Sequence, residues 1–279
     1  MVEHPRPALY GVLGHPVVAS RSPDIHRAAY QAMGWTHCHY VPVDTMPHRL
    51  TEVIAAFTAL GGRGLNITIP LKAAVLGLPF MHSRDPWVLR AGVANTLARR
   101  PDGSWEAFNT DGPALYGALA HRAVEPRRVL VLGGGGAARA SVLAVQATAE
   151  TVVVATRTPV AWVGALDVPA CRRVAWADAL RWVPEADVII NATPLGQEGR
   201  ASWDPVPRFQ PGQCVVDWVY GDAPTRLVQQ AQADGAAIID GRELLVRQAA
   251  GAWARWFGDG APVSAMAGAV GLAGTGWSS

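Results

Sequence analysis

One stretch decides the fold of half of this 279-residue chain: Val129-Leu130-Val131-Leu132-Gly133-Gly134-Gly135-Gly136-Ala137-Ala138-Arg139. Its four apolar residues are typical of a buried strand, and the residues after the glycines have a helical pattern. Gly133, Gly135 and Ala138 match the GxGxxA spacing, in which glycines form a tight turn and let a pyrophosphate approach the helix N-terminus. Because the strand and the helix that this motif requires are both present, the stretch predicts dinucleotide binding. The alternative is an ordinary glycine-rich turn.

The end of the next predicted strand, residues 151–155, indicates which dinucleotide binds. The strand runs into Thr156-Arg157-Thr158, about 20 residues beyond the glycines, where such units contact the adenosine ribose. No Asp or Glu is present there to accept hydrogen bonds from the ribose hydroxyls of NAD, whereas an arginine and two hydroxyls suit a 2'-phosphate. NADP is therefore the expected cofactor.

A doubly wound pattern is completed by three further strands and a helix, over residues 188–191, 214–217, 236–239 and about 225–234. Polar groups follow two of these strands, in Asn191-Ala192-Thr193-Pro194 and Asp217-Trp218-Val219-Tyr220. Ligands of open parallel sheets bind at the carboxyl ends of the strands, so we expect these groups to contact cofactor or substrate. The alternative is that they only cap loops.

Strands and helices also alternate in the first half of the chain, which favours parallel strands there, with strands at 8–13, 35–43 and 65–69 and helices at 22–33 and 47–60. The segment Ser20-Arg21-Ser22-Pro23 stands at the start of the first helix, with Ser22 as the expected N-cap and Pro23 in the first helical position. Two hydroxyls and an arginine at a helix N-terminus also suit an anionic ligand; the alternative is capping alone.

Lys72 is the only lysine among the 24 basic residues. An arginine guanidinium stays protonated in proteins, whereas a lysine ammonium can give up its proton and act as an acid or base. Pro70 closes the third strand, so Lys72 lies just beyond a carboxyl end, where ligands bind. Asn66 and Thr68 share one face of that strand by its period of two. The segment predicts a reactive lysine; a codon bias that left one lysine by chance is the alternative.

Three more candidates lie near the ends or faces of later elements. Two strands, at 91–99 and 104–109, are joined by a turn signal, with Asn95 and Asp111 at or near their ends. Asp111 precedes a helix over about 113–123, and capping that helix is its alternative role. Gln248 borders the apolar stripe of a helix over about 242–257, where a polar amide usually faces solvent or bonds to backbone.

Composition argues against several functional classes. The chain is 50% hydrophobic and 16% charged, enough to bury sizeable cores. It has neither a signal pattern nor an apolar run of about 20 residues, so we expect a cytoplasmic protein without membrane contact. Three cysteines without CxxC or Cys/His spacing predict no metal site. The net charge of +2 without a basic stripe predicts no nucleic-acid partner.

Taken in order, these motifs resemble the shikimate dehydrogenase family over about residues 8–257. Ser20-Arg21-Ser22-Pro23 resembles the family's Ser-x-Ser-Pro pair, which holds the substrate carboxylate, and Asn66-Ile67-Thr68-Ile69-Pro70-Leu71-Lys72 resembles its N-V-T-x-P-x-K segment. Asn95 in Gly92-Val93-Ala94-Asn95-Thr96 and Asp111 in Asn109-Thr110-Asp111-Gly112 fall on the family's other substrate-binding and catalytic positions.

The resemblance implies reversible hydride transfer between NADP and the ring carbon that bears the 3-hydroxyl of shikimate, so that 3-dehydroshikimate is reduced in aromatic amino-acid biosynthesis. Lys72 would exchange a proton with the substrate oxygen, and Asp111 would orient that lysine and bond the ring hydroxyls. The small-molecule substrate would contact Ser20, Ser22, Asn66, Thr68, Asn95, Tyr220 and Gln248. The cofactor would contact Gly133, Gly135, Gly136, Ala137, Ala138, Thr156, Arg157, Thr158, Thr193, Trp218 and Gly241.

The chain departs from the family pattern at three places. Thr156 stands where NADP-dependent members usually have Asn, Ala161-Trp162 stands near their second Arg, and Glu243 occupies a commonly small position beside the nicotinamide end. These departures keep open a quinate/shikimate-type enzyme of the same family with broader substrate or NAD use. A hypothesis from another class is a non-catalytic homologue that binds NADP and a metabolite as a sensor.

The expected architecture is α/β with two domains. Residues 1–111 would form an α/β substrate domain, residues 112–240 a Rossmann-type, doubly wound NADP-binding domain, and residues 241–279 would return to the first domain. The active site is expected in the cleft between the domains, in a monomer or a homodimer.

Overall fold

The computed structural model describes residues 8–157 and 171–272. The chain divides into two units, a first unit of Met1–Thr110 with Leu245–Ser279 and a second unit of Asp111–Leu244. These divisions fall one residue and four residues from the expected boundaries at 111/112 and 240/241. The α/β fold class with a Rossmann-type unit is confirmed. No helix in these two described ranges is long and apolar enough to cross a membrane.

The first unit contains a six-stranded sheet flanked by helices. Its strands are β1 Ala8–Gly14, β2 Cys38–Asp44, β3 Gly62–Ile67, β4 Met81–His82, β5 Thr96–Arg99 and β6 Trp105–Phe108. Its helices are α1 Ser22–Ala32, α2 Leu50–Ala59, α3 Pro86–Ala91 and α8 Val263–Gly268, together with most of α7 Gly241–Phe257 and 3₁₀ turns at Pro47–Arg49 and Ala74–Gly77.

Strand direction brings several loops to one edge of the first sheet. The strand order is β2-β1-β3-β5-β6-β4, with β1 parallel to β2 and β3, and β5 antiparallel to both β3 and β6. In register, Asn66 lies opposite Thr96, which lies opposite Phe108. The ends of β1, β3 and β6 and the start of β5 therefore share an edge, near which Asn66, Thr68 and Asn95 lie.

Aromatic side chains join α7 to α1 and the sheet of the first unit. Trp253 stacks on Trp35 at 5.1 Å between ring centroids, and Trp256 packs 5.0 Å from Tyr10. A Cβ on Gly64 would overlap the Trp256 indole, whose Nε1 donates to Leu97 O at 2.9 Å. The last long helix is therefore an integral part of this core.

The second unit is an all-parallel sheet in the order β12-β11-β10-β7-β8-β9. This is the doubly wound order of dinucleotide-binding folds, with the reversal of order between β7 and β10. Its strands are β7 Arg128–Leu132, β8 Thr151–Thr156, β9 Cys171–Ala175, β10 Val188–Asn191, β11 Cys214–Asp217 and β12 Ala237–Ile239. The helical segments are α4 Asp111–His121, α5 Gly136–Val145, a 3₁₀ segment Trp176–Glu185 and α6 Arg226–Ala233.

Several local predictions were wrong. Residues 91–95 do not extend β5, because Ala91 is the last residue of α3 and Gly92 ends that helix in the left-handed conformation. The second strand begins at Cys38 rather than 35. In the Gly- and Ala-rich tail from Gly258, where few sequence patterns are readable, α8 forms and packs against α1. β9 was also missed, because its exposed arginines break the apolar pattern of a buried strand.

Candidate active site

The loop after β1 carries Ser20 and Ser22. Ser20 Oγ accepts a hydrogen bond from the backbone N of Ser22 at 3.4 Å, and Ser22 is a buried first residue of α1. Ser22 is therefore not the N-cap; that position is Arg21, whose guanidinium pairs with Asp24 at 2.8 Å instead of capping the helix. Both hydroxyls stand at the N-terminus of α1, an arrangement that suits an anionic group.

Thr68 and Lys72 lie in the loop after β3, and hydrogen bonds tie this loop to its neighbours. Thr68 N donates to Leu13 O at 2.8 Å. A Cβ on the next residue, Gly14, would overlap the Thr68 side chain. Glycine at position 14 thus leaves room for Thr68. Further along, the Lys72 carbonyl accepts from Ala94 N at 2.8 Å, so the half-buried lysine lies beside the segment that leads into Asn95.

A buried set of hydrogen bonds continues from this loop. Asn66 donates from Nδ2 to Asn95 O at 3.3 Å and to Thr96 Oγ1 at 3.2 Å, and its Oδ1 accepts from the Tyr40 hydroxyl at 2.7 Å. Asn95 donates to Thr110 Oγ1 at 2.9 Å and accepts from Thr110 N at 2.8 Å. The four asparagine and threonine side chains are at most 4% exposed. In so dry a site each bond is stronger than in water, and a missing one is costly.

Gln248 reaches the same set from α7, completing what we call the Asn95 network: Asn66, Asn95, Thr96, Thr110 and Gln248. Gln248 Nε2 donates to Leu245 O at 2.9 Å, and its Oε1 lies 3.4 Å from Asn95 Nδ2. Glycine at position 251 lets α7 approach Thr110 closely, since a Cβ there would lie only 3.1 Å from the Thr110 side chain. At 3.4 Å the hydrogen bond between Asn95 and Gln248 is weak, so a ligand hydroxyl can replace it by bonding to both side chains.

Two predictions about strand geometry change here. β3 ends at Ile67, so Thr68 lies outside the strand and does not share a face with Asn66 by the strand period. Both N–H groups and the oxygen of the Asn66 amide have protein partners. This geometry is typical of a residue that supports neighbouring groups.

Asp111 follows Thr110 directly in the chain. It is the first residue of α4 and is 3% exposed. A carboxylate in the first turn of a helix complements the positive end of the helix dipole. The backbone therefore fixes this carboxylate next to a member of the Asn95 network.

The glycine stretch forms the turn that the motif predicts. Gly133 has a φ of +119°, and a Cβ there would lie 2.8 Å from Ala192 O. Gly135 is the N-cap of α5, and a Cβ there would meet nothing within 4 Å. Gly136 and Ala137 begin the helix, and Ala138 is fully buried. The N-terminus of α5 thus opens onto free space, where a phosphate group fits.

The end of β8 offers polar groups for the ribose end of a dinucleotide. Thr156 is 7% exposed, and its hydroxyl has no hydrogen-bond partner within the described ranges. Buried hydroxyls are normally hydrogen-bonded, so the Thr156 hydroxyl is suited to bind a group outside the described residues. Arg157 beside it is exposed, and Thr158 lies outside the described residues, as do Ala161 and Trp162. With the open N-terminus of α5, these features fit a dinucleotide.

Loops after β10 and β11 are tied together by a buried carboxylate. Asp217 accepts hydrogen bonds from Asn191 Nδ2 at 2.9 Å and Thr225 Oγ1 at 2.6 Å, and burial raises the pKa of this carboxyl to about 6. Thr193 donates from Oγ1 to Asn191 Oδ1 at 2.6 Å. Thr193 therefore has a loop-ordering contact in addition to its predicted cofactor contact.

Trp218 and Gly241 also have structural partners. Trp218 donates from Nε1 to Ser141 Oγ on α5 at 3.0 Å. A Cβ on Gly241, the first residue of α7, would overlap Val219 O, so close packing alone requires glycine there. Tyr220, partly buried, lies in the same loop, three residues beyond the end of β11.

Glu243 has a partner that the sequence did not reveal. Its carboxylate, 7% exposed, accepts from Nη1 of Arg122, the residue after α4, at 2.8 Å, with a second contact to Nη2. This paired geometry satisfies the planar guanidinium on two sides. The charge of Glu243 is therefore balanced inside the second unit.

Sequence reasoning missed four residues that hold the site residues in place: Tyr40, Thr96, Thr110 and Arg122. It named Asn191 and Asp217 as ligand contacts but not their hydrogen bond to each other. Their partners are distant in sequence, up to 121 residues for Arg122 and Glu243. The one available signal was a polar residue inside an apolar run, which Thr96 and Asp217 both show. No group of three or more His, Cys, Asp or Glu that could hold a metal occurs in the described part of the chain.

Comparison with known proteins gives consistent matches. Residues 12–97 match a family model described as the shikimate dehydrogenase substrate binding domain. The shikimate dehydrogenase (NADP(+)) of Anaeromyxobacter dehalogenans strain 2CP-1 is 41% identical over 273 residues, which cover 95% of this chain and 96% of that relative. The protein of the same name from Moorella thermoacetica is 36% identical, with 92% and 90% covered.

Solved structures agree with the sequence matches. The shikimate 5-dehydrogenase of Thermus thermophilus, in complex with NADP(H) and shikimate, superimposes with a TM-score of 0.78 at 34% identity and covers 94% of this chain and 98% of its own. A shikimate dehydrogenase in complex with NADP+ gives a TM-score of 0.83 at 28% identity, with 94% of each chain covered.

Proposed function

The chain belongs to the shikimate dehydrogenase family, and from that membership we propose that it catalyses the NADP-dependent interconversion of shikimate and 3-dehydroshikimate, with Lys72 and Asp111 as catalytic residues. The observation that supports this assignment is the backbone hydrogen bond from Ala94 N to Lys72 O, by which the backbone of the chain's only lysine lies next to the residue that precedes Asn95. A lysine next to groups that hold a hydroxyl is suited to exchange a proton with it.

The protein's part in the reaction is proton transfer and orientation. NADPH, when bound, supplies the hydride that reduces the carbonyl carbon of 3-dehydroshikimate. The carbonyl oxygen gains negative charge as its carbon is reduced, and the Lys72 ammonium donates the proton that neutralises it. In the reverse direction the neutral amine of Lys72 takes that proton back. Asp111 accepts hydrogen bonds from Lys72 and from a ring hydroxyl and so keeps the two groups aligned.

The substrate is held at both of its polar ends. The carboxylate binds to the Ser20 and Ser22 hydroxyls at the N-terminus of α1, where the helix dipole favours a negative charge. The ring hydroxyls bind Thr68, Asn95 and Gln248, exchanging with the 3.4 Å contact between the last two. Tyr220 is a further proposed substrate contact. Asn66 acts behind these residues, because its amide is occupied by protein groups.

The cofactor site uses the carboxyl edge of the second sheet. Gly133, Gly135 and Gly136, with Ala137 and Ala138, form the turn and the open helix N-terminus for the pyrophosphate. Thr156 and Arg157 bind the 2'-phosphate, which gives the buried Thr156 hydroxyl a partner. Thr193, Trp218 and Gly241 border the nicotinamide end.

Steady-state kinetics with the four pairings of shikimate or quinate with NADP+ or NAD+ test the proposal. We expect the highest kcat/KM for shikimate with NADP+. The quinate/shikimate-type alternative predicts comparable values for quinate or NAD+. Shikimate binding without any turnover would instead support the non-catalytic homologue. A cytoplasmic location and a monomeric or homodimeric state remain predictions from the sequence.

A further inference from the structure

Tyr40 on β2 makes the shortest hydrogen bond to Asn66. Its hydroxyl donates to Asn66 Oδ1 at 2.7 Å, and the tyrosine is only 5% exposed. An amide side chain can rotate by half a turn and exchange its oxygen and nitrogen. A donor on the oxygen side favours one of the two orientations, so the Tyr40 hydroxyl, together with the Asn95 carbonyl on the other side, sets which way the two N–H groups of Asn66 point.

Those two N–H groups connect Asn66 to Asn95 and Thr96. One points to Asn95 O and the other to Thr96 Oγ1, and the Thr96 hydroxyl lies 3.2 Å from Asn95 Oδ1. The backbone and the side chain of Asn95 are therefore both reached from Asn66. If Asn66 turned over, its oxygen would face Asn95 O, and two acceptors would repel each other.

The tyrosine ring is itself held in place. His26 on α1, 0% exposed, stacks on Tyr40 with 4.4 Å between ring centroids and 13° between the ring planes. This packing leaves the phenol no room to change rotamer without opening the core. The order of contact runs from His26 to Tyr40, to Asn66 and to Asn95.

We propose that Tyr40 is a positioning residue for substrate binding, which acts through Asn66 to hold Asn95 in the orientation that receives a ring hydroxyl. This inference rests on the proposed function, because it assigns Asn95 to the substrate. It adds a residue that has no direct substrate contact and that the sequence did not single out.

Tyr40→Phe removes the one hydroxyl and keeps the ring stack. We expect the KM for shikimate to rise about 2- to 10-fold, as the loss of one ordinary hydrogen bond implies, with kcat and the KM for NADP+ unchanged. The Kd for shikimate, measured by calorimetry without turnover, should rise by the same factor. A merely structural role would lower the thermal midpoint and the active fraction but leave KM unchanged.

Tyr30→Phe is the matched control. Tyr30 lies in the same aromatic cluster and is 2% exposed, but its hydroxyl has no hydrogen-bond partner within the described ranges. We expect wild-type KM values for this variant. An equal rise in KM for both variants would overturn the proposal, as would an unchanged KM in Tyr40→Phe.

A double variant tests the route through Asn66. In an Asn66→Ala background, Tyr40→Phe should raise the KM for shikimate no further, because the hydrogen bond between Tyr40 and Asn66 is already absent. Additive effects of the two substitutions on KM would show that Tyr40 does not act through Asn66. If Tyr40→Phe yields no folded protein, Thr96→Val can replace it, because it removes the hydroxyl that links Asn66 to the Asn95 side chain. An unchanged KM for shikimate in Thr96→Val would equally overturn the proposal. Absence of shikimate turnover in the wild type would instead refute the proposed function, and the calorimetric comparison of the variants would still test Tyr40.

Discussion

Asn95 and Gly133 both lie at the ligand edge of a sheet, but they prepare that edge by different means. Asn95 is held by side-chain hydrogen bonds from two other segments, to Thr110 and Gln248, in surroundings that exclude water. Gly133 is selected for its backbone, with a φ of +119° and no room for a Cβ. The first unit thus positions chemical groups, whereas the second unit shapes a space.

This difference predicts two kinds of sensitivity. A change in the first unit should alter kcat or the KM for shikimate according to which polar group is lost, because each bond there is specific and dry. A change in the second unit should act through steric fit and should affect the cofactor before the substrate.

Lys72→Ala and Lys72→Arg should give the largest effect. Loss of a well-placed acid or base costs about 10²- to 10⁴-fold in turnover, and we expect that loss in kcat with little change in the KM for shikimate. Arginine keeps the charge but cannot exchange the proton, so steady-state NADPH formation should fall in both variants. Near-normal turnover in Lys72→Arg would refute proton exchange by this residue.

His26→Gln should make the first unit less sensitive to acid. Burial lowers the pKa of His26 to about 3 from its usual 6.5, with the nearby Asn66 amide opposing the shift. Between those values the unfolded chain holds the extra proton, so stability falls as pH falls, by about 1.4 kcal/mol per pH unit. Urea unfolding at pH values from 7 to 4 should show that the free energy of unfolding falls less steeply in His26→Gln than in the wild type.

Asp217→Asn is the counterpart in the second unit, with the opposite sign. Because the folded pKa of this buried carboxyl is raised to about 6, the folded state holds the extra proton between about pH 6 and pH 4, and acidification favours it. In Asp217→Asn the free energy of unfolding should therefore lack the increase that this carboxyl contributes to the wild type as the pH falls from about 6 to about 4. Parallel pH profiles for the wild type and both variants would contradict these assignments.

Gly133→Ala should destabilise the protein, and Gly135→Ala should not. A Cβ at position 133 meets the Ala192 carbonyl in a strained backbone conformation, which costs about 1–3 kcal/mol. At position 135 the Cβ enters open space at the N-terminus of α5. We therefore expect a normal thermal midpoint but a higher Kd for NADPH in Gly135→Ala. Equal NADPH affinity in wild type and Gly135→Ala would argue against a phosphate at this helix end.

Arg157→Ala should have the smallest effect, confined to cofactor choice. An exposed arginine that bonds a phosphate contributes roughly one charge-assisted hydrogen bond, so kcat/KM for NADPH should fall about tenfold. The value for NADH should not change. Arg181→Ala, another exposed arginine of the second unit, is the control and should leave both values at wild type. A similar loss with NADH would show that Arg157 does not bind the 2'-phosphate.

In the second unit the sequence predicted several elements with accurate bounds, although it missed β9. The glycine turn and the strands at 188–191 and 214–217 are local features, and β10 and β11 have the predicted bounds. Hydrophobic runs and glycine spacing describe such elements because each depends on neighbours in the sequence. The prediction that Asn66 and Thr68 share a strand face was wrong, since β3 ends earlier.

What the sequence could not supply is pairing across distance. The alternatives left open for Asp111 and Glu243 depend on where other elements pack, and the Arg122 partner of Glu243 is 121 residues away. Tyr40 was invisible for the same reason, since a tyrosine in a strand gives no indication that its hydroxyl meets Asn66. Tertiary contacts of this kind decide side-chain roles after local patterns have decided the elements.

The close contact between Gly64 and the Trp256 indole bears on the order in which the protein forms during synthesis. The second unit is one continuous segment, so its core can close soon after residue 244 leaves the ribosome. The first unit begins earlier but needs Trp253 and Trp256, which emerge later. The half of the chain that is translated first is therefore completed last, and Tyr10 and Trp35 lack their α7 partners in the meantime.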